Sequence, residues 1–345
     1  MTQPERPAPG RRMLLGGAGA FGLAVAGGLV VRNQIRHPHQ DKTSRPDGRF
    51  RRLTLACPHP EHDPVLMVAL HAGMFARFNL DVTIQEGFAS GQEAVAQLHP
   101  GGAEVAVAPA LSWLPRLLGG LDARLVCGLQ SGSARLLVDR KSSIKRIEDL
   151  HRKAIGIADF GADRLFFSIM MRRKGMDPNR DVAWTQMPPE QVAAALAERR
   201  VQAVVGHDPV IWQIRENLHL AELASSMTGS YGNRVSRVLG VRGDVLRSDP
   251  GAAVPLVLAV QEAARFVQHH LGETASILAD RLPDMDQSAI QRMLHAEGHA
   301  VHPAGRELRE QMAQYIDELK LIALAPDEDD SGALARRYCD ITIHK

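Results

Sequence analysis

Short apolar runs rich in Val and Ile alternate with amphipathic helical stretches along most of the chain. Arg52–Ala56 alternates like an opening strand, and Val65–Phe78 places Leu66, Ala69, Leu70 and Phe75 on one helical stripe. Leu80–Gln85, Glu104–Ala108 and Ala123–Leu129 repeat the strand signal, with helical stretches at Gln92–Leu98 and from Pro109–Trp113 to Gly119-Gly120. The stretch Val138–Arg164 predicts a strand end, a basic connector, a short turn closed by Asp149 and Leu150, and a buried strand, Lys153–Ala158. The loop Asp159–Asp163 then opens a helix that runs to about Lys174 and stops at Gly175, with Pro178 beyond. Val182–Gln186, Gln202–Val205, Leu220–Leu223 and Arg237–Val241 read as further strands, and from Gly251 the pattern is helical almost to the end.

Strands alternating with helices predict an α/β fold of mainly parallel sheets flanked by helices. Two such runs, before and after about Val138, predict two lobes, and the helical tail is expected to return to the first. Ligands of such sheets sit beyond the carboxyl ends of the strands, so the strand-to-helix loops are candidate walls of one cleft. Asp159–Arg164 is one of them: small residues and a helix N-terminus offer backbone N–H groups and a positive dipole end.

Composition narrows the class. The apolar fraction of 45% is globular, and 345 residues leave room for two lobes. A formal charge of +2, with no basic cluster interleaved with aromatics, excludes a nucleic-acid footprint. Three dispersed cysteines, Cys57, Cys127 and Cys339, give neither a disulfide framework nor a CxxC site. Arg11-Arg12 precede the apolar, Gly/Ala-rich run Met13–Val31, which contains the small-x-small site Ala24-Val25-Ala26. Residues 1–31 are therefore expected to be an export signal of twin-arginine type, followed by a linker over 32–51, with a retained membrane anchor as the alternative.

The residues that carry a family resemblance are spread along the chain. They are Ser143-Ile144-Lys145 with Asp149-Leu150, the strand Arg152–Ile157, His71–Asp81, Gly87–Glu93, Val201–Val205 before Gly206, and the closing helix Gln311–Ile322. Together they resemble the periplasmic solute-binding proteins of ABC importers, in the nitrate, sulfonate, taurine and thiamine-precursor group, over about Leu53–Ile322. The resemblance implies the type II two-lobe fold: lobe 1 from 52–138 and 235–345, lobe 2 from 139–234, with crossings near Leu136–Val138 and Val235–Leu239. It also implies hinge closure on a small polar ligand, a periplasmic location, delivery to an importer's permease and ATPase, a monomeric state, no cofactor and no enzymatic activity.

By the same resemblance, lobe 1 is expected to contact ligand through the loop after its first strand (His59, His62, Asp63), Ser90 and Gln92, Ser112 and Trp113, and Gln130 and Ser131. Lobe 2 is expected to contribute Asp159, Gly161, Asp163, Arg164, His207, Asp208, Tyr231 and Asn233. Trp113 reads equally as a stacking surface or a buried anchor. Asp159, Asp163 and Asp208 would repel an anion, which favours a ligand with donors, such as an amine or an aminopyrimidine. Cys57, His59, Glu61, His62 and Asp63 are all possible metal ligands, and His207-Asp208 faces them across the cleft. Their spacing matches no defined metal motif, so a polar loop without metal is the favoured reading. His295 and His299 read as a solvated helix end. A membrane-anchored sensor, a metal or metal-chelate carrier, and a biosynthetic enzyme on the same fold are the alternatives. No catalytic triad order, P-loop or cysteine-rich segment supports the last.

Overall fold

The computed structural model describes residues 49–158 and 161–339. The expected export signal, most of the linker, and Asp159 lie outside the described residues.

Among the described residues ten strands form two five-stranded sheets. In the first, β1 (Arg51–Ala56) lies parallel between β2 (Leu80–Gln85) and β3 (Val105–Pro109). Next to β3 comes β10 (Val235–Arg242), antiparallel both to β3 and to the edge strand β4 (Ala123–Ser131). The second sheet repeats the plan. There β6 (Lys153–Ile157) is parallel to β7 (Val182–Gln186) and β8 (Ala203–His207), while β5 (Ala134–Val138) is antiparallel to β8 and β9 (Ala221–Ser225). Both sheets are thus mixed, with four strands running one way and a single strand against them. The strands that enter a sheet from the other lobe, β5 and β10, run against their neighbours.

The chain changes sheet at Gly132-Ser133 and again between Ser225 and Val235. The expected crossings lay a few residues later, inside β5 and β10. The first boundary is the polar break Gly132-Ser133, just upstream of β5. Both sheets fall within one compact unit.

Alternation along β3 sorts the layers. Val105 and Val107 face the core formed with α1 (Pro64–His71) and the helix 253–269, through Leu66, Leu256 and Val260. Ala106 and Ala108 face the opposite core, with Trp113 and Leu114 of the helix Ala110–Leu118 and Met312 and Ile316 of the helix Gly305–Leu321. That second core continues into the other lobe through Leu136, Phe166 and Phe167. The helices 253–269 and Gly305–Leu321 pack on the first sheet, and the core of the latter continues to Phe166 and Phe167. Each fully buried Leu or Phe contributes about 1.5–3 kcal/mol relative to exposure, so the lobes share a substantial apolar base below the cleft. Among the described residues no helix is long and apolar enough to cross a membrane.

Candidate functional site

A cavity of about 470 Å³ opens between the lobes, at the strand ends and the first turns of the following helices. Its first-lobe wall comes from the turn after β1, from Ser90-Gly91, from Pro109–Ser112 and from Gln130–Ser133. Gly91 is required there: a Cβ would lie 2.7 Å from Ser112 Oγ and 2.8 Å from Pro109 Cδ. The second-lobe wall comes from Gly156–Ala158, Ala162-Asp163, Phe166, Gly206-His207 and Ile211. Most of this surface is apolar, and polar groups are few and grouped, as in small-molecule sites generally.

One polar group is a chain of imidazoles and carboxylates that links the lobes. Pro60–His62 forms a single 3-10 turn, entered through His59, which gathers the His59, Glu61 and His62 side chains. His59 Nδ1 lies 3.2 Å from Glu61 Oε1, and the His59 and His62 rings stack with centroids 4.7 Å apart. His62 Nδ1 reaches across to His207 Nε2 at 3.3 Å, and His207 Nδ1 meets Asp163 Oδ2 at 2.6 Å. Burial, reinforced by the neighbouring Arg237 charge, holds the His62 pKa well below the usual imidazole value, so His62 is neutral at pH 7. For Glu61, burial acts to raise the pKa, but the His59 hydrogen bond helps bring the net shift down.

The second polar group centres on Arg237, in the middle of β10. It is only 6% exposed and lines the cavity, yet its guanidinium donates no hydrogen bond and forms no ion pair with any described residue. The nearby Gln130 Oε1 is likewise buried without a partner. Glu297, which senses the Arg237 charge, is pushed well above the usual carboxylate range by burial and by Asp208.

The structure brings His59, His62, Ser90, Ser112, Gln130, Ser131, Asp163, His207 and Tyr231 of the expected residues into the cavity wall. Their roles differ. Ser90 Oγ caps the helix Gly91–Ala96, Ser131 Oγ donates to the Gly298 carbonyl, and Tyr231 shows its ring while its hydroxyl donates to Glu318.

Other expected residues lie outside the wall for identifiable reasons. Trp113 is fully buried; its Nε1 donates to Val238 O, and a Cβ on Gly240 would lie 2.5 Å from its ring. It is the buried anchor, not the stacking surface. Asp63 is buried as the N-cap of α1, accepting from Leu66 N. Asp208 is 1% exposed and accepts three hydrogen bonds from Arg135, at 2.8, 2.9 and 3.1 Å. Arg164 donates to Asn179 and lies over Trp184. Gln92 and Gly161 sit at helix starts behind the wall, and Asn233 is exposed. Cys57 is buried, with its thiol pushed up to about 12 by burial, which unsuits it as a ligand for metal. Sequence reasoning missed Arg237, Ser226, Ser236 and Tyr315. For Arg237 a signal existed: a charged residue inside the apolar strand VSRVLGVR is rarely there for packing.

Two mixed five-stranded sheets, two crossings and a cavity at the strand ends define the two-lobe fold of periplasmic binding proteins. Within that class the chain belongs to the NMT1-like family, whose model matches residues 52–282. Among solved structures it is similar to the periplasmic aliphatic sulphonate binding protein SsuA of Escherichia coli, at 16% identity and a TM-score of 0.69, covering 84% of this chain and 97% of that one. It is similar to the alkanesulfonate-binding protein SsuA of Xanthomonas axonopodis pv. citri bound to MOPS, at 17% identity and a TM-score of 0.68, covering 83% and 98%. It is also similar to the nitrate-binding protein NrtA of Synechocystis PCC 6803, at 15% identity and a TM-score of 0.68, covering 85% and 87%. No curated protein matches it.

Proposed function

We propose that this protein is an extracytoplasmic solute-binding protein that captures a small molecule with an anionic head and an apolar body, and delivers it to an ABC importer. The observation that carries the reading is Arg237: a largely buried arginine, unpaired among the described residues, that lines the mainly apolar cavity. A buried charge without a partner is expensive. A carboxylate, sulfonate or phosphonate group would supply the missing acceptors, and a guanidinium offers such groups two parallel donors.

This reverses the ligand expected from the three acids. Asp208 is committed to Arg135, Asp163 to His207 and Glu61 to His59, which leaves Arg237 as the cavity charge without a partner among the described residues. The serine hydroxyls of Ser112, Ser133 and Ser236 around the cavity suit an oxyanion as well. Family membership and the shared fold support the carrier reading, and the export-type N-terminus supports its location outside the cytoplasm.

Titration calorimetry with aliphatic sulfonates, carboxylates and phosphonates, set against amines and aminopyrimidines, tests the reading. The acids are expected to bind and Arg237→Met to abolish that binding. Binding of amines alone, or an Arg237→Met variant with unchanged affinity for the acids, would refute it. Turnover of a bound acid would instead make the protein an enzyme on this fold.

A further inference from the structure

We propose that His59, Glu61 and His62 form a binding site for one divalent transition-metal ion at the cleft wall, and that His207 and Asp163 of the other lobe hold His62 in the tautomer that ligates it. The inference does not rest on the ligand proposed for Arg237.

Three donor atoms converge from one turn. The nearest ligand atoms of His59, Glu61 and His62 all lie within 4.8 Å of one another. His59 Nδ1 to Glu61 Oε1 is 3.2 Å and His62 Nε2 to Glu61 Oε1 is 3.8 Å. A tetrahedral ion with bonds of about 2.0–2.1 Å sets its ligand atoms about 3.3 Å apart, so these spacings need only a small contraction. The half-exposed His59 ring must slide out of its stack on His62 to aim Nδ1 at the same point, and its open side allows that. Two imidazoles and one carboxylate suit zinc, nickel or copper rather than calcium or magnesium.

The hydrogen-bond chain fixes which His62 nitrogen is available. A carboxylate only accepts, so Asp163 requires the proton on His207 Nδ1. With that single ring proton on Nδ1, His207 Nε2 is an acceptor, and the facing His62 Nδ1 then donates to it. A neutral His62 is left with its lone pair on Nε2, which points toward the Glu61 carboxylate. Two acceptors thus face each other at 3.8 Å, an arrangement that a cation between them satisfies. A carboxylate–imidazole relay behind a metal-binding histidine is how ligating rings are oriented and made more basic. Here the relay comes from the opposite lobe, so metal affinity depends on the relation between the lobes. All three ligand residues line the cavity, which leaves the open coordination position facing the bound solute.

The test uses the untagged full chain, stripped with a chelator and dialysed. One equivalent of Zn²⁺ is expected to bind by calorimetry, and Co²⁺ to give the intense visible bands of a four-coordinate N/O site. His62→Ala and Glu61→Gln should each abolish binding in a fold that circular dichroism shows intact. Asp163→Asn and His207→Ala should weaken Zn²⁺ about 10–100-fold, as loss of an orienting partner does. His207→Gln, whose amide oxygen can still accept from His62 Nδ1, should restore most of the affinity. Failure to bind Zn²⁺ or Co²⁺, or binding that survives His62→Ala, would overturn the site. Equal loss in His207→Ala and His207→Gln would overturn the relay. The Arg237→Met variant is expected to keep its metal while losing acids, so the two proposals fail separately.

Discussion

Asp208 separates a structural acid from a ligand contact, and its removal gives a measurable answer. Its carboxyl accepts from both Nε and Nη2 of Arg135, and Nη1 of the same arginine reaches Glu222. Burial pushes the Asp208 pKa up while Arg135 pulls it down. Both oxygens accept from donors that never deprotonate, which identifies the ionised form. On the arginine, burial opposes the charge, but the hydrogen bonds from Asp208 win and the Arg135 pKa rises.

Breaking such a buried pair costs about 3–5 kcal/mol. In Asp208→Ala the arginine keeps Glu222 and the Trp212 ring at 5.1 Å, which puts the loss at the lower end, about 3 kcal/mol. Arg135→Met strands a fully buried carboxylate and belongs at the upper end, relieved only as Asp208 takes up a proton. At this chain length 1 kcal/mol moves the midpoint by about 2 °C, so Tm should fall about 6 °C in the first variant and up to about 10 °C in the second. Calorimetric melting at pH 7, without added solute and with chelator present, is the assay. The double variant Arg135→Met/Asp208→Leu should recover much of the loss, because an apolar pair of similar volume replaces a buried ion pair at little cost. An Asp208→Ala variant that melts within about 2 °C of the parent but loses solute binding would refute this account and make Asp208 a ligand contact.

Three further outcomes follow from single contacts. Glu297 keeps its proton to higher pH in the folded chain than in the unfolded one, so its contribution to stability falls as pH rises above the ordinary glutamate value; Glu297→Gln should flatten that fall and raise Tm at pH 8, and parallel curves from pH 5 to 8.5 would contradict the assignment. Gly240→Ala drives a methyl to 2.5 Å from the Trp113 ring, and overpacking of this kind costs about 1–3 kcal/mol, read as a lower urea midpoint; an unchanged midpoint would mean that the ring can move. Arg237→Met should leave Tm unchanged or higher in the absence of solute, because it removes an unpaired buried charge; a drop of several degrees would show that the guanidinium is held by the protein itself.

The fold was legible in the sequence because its determinants are local. Alternation in Glu104–Ala108 and the β-branched run Lys153–Ala158 each mark a strand whose faces are set by a period of two, and the structure has strands at both places. Sheet direction was not legible in the same way. The runs that form β5 and β10 look like any other strand, and only the crossing between lobes turns them antiparallel. The site divides along the same line. The turn His59–His62 was visible as a loop with no apolar filler, and its histidines do face the cavity. The acids misled because charge in a sequence says nothing about partners: Asp208 meets an arginine 73 residues away, and Asp163 meets a histidine 44 residues away. Once those pairs are closed, the electrostatics of the cleft follow from what stays unpaired among the described residues. A cavity is read by its uncommitted donors and acceptors, and here these are the Arg237 guanidinium, the Gln130 carbonyl and the His62 Nε2 lone pair. The first two sit on β10 and β4, neighbouring strands that flank the crossings, where a solute touching both would feel any change in the angle between the lobes. A solute bound as proposed would place its binding energy on the strands that also carry the chain from one lobe to the other, and so would couple to closure.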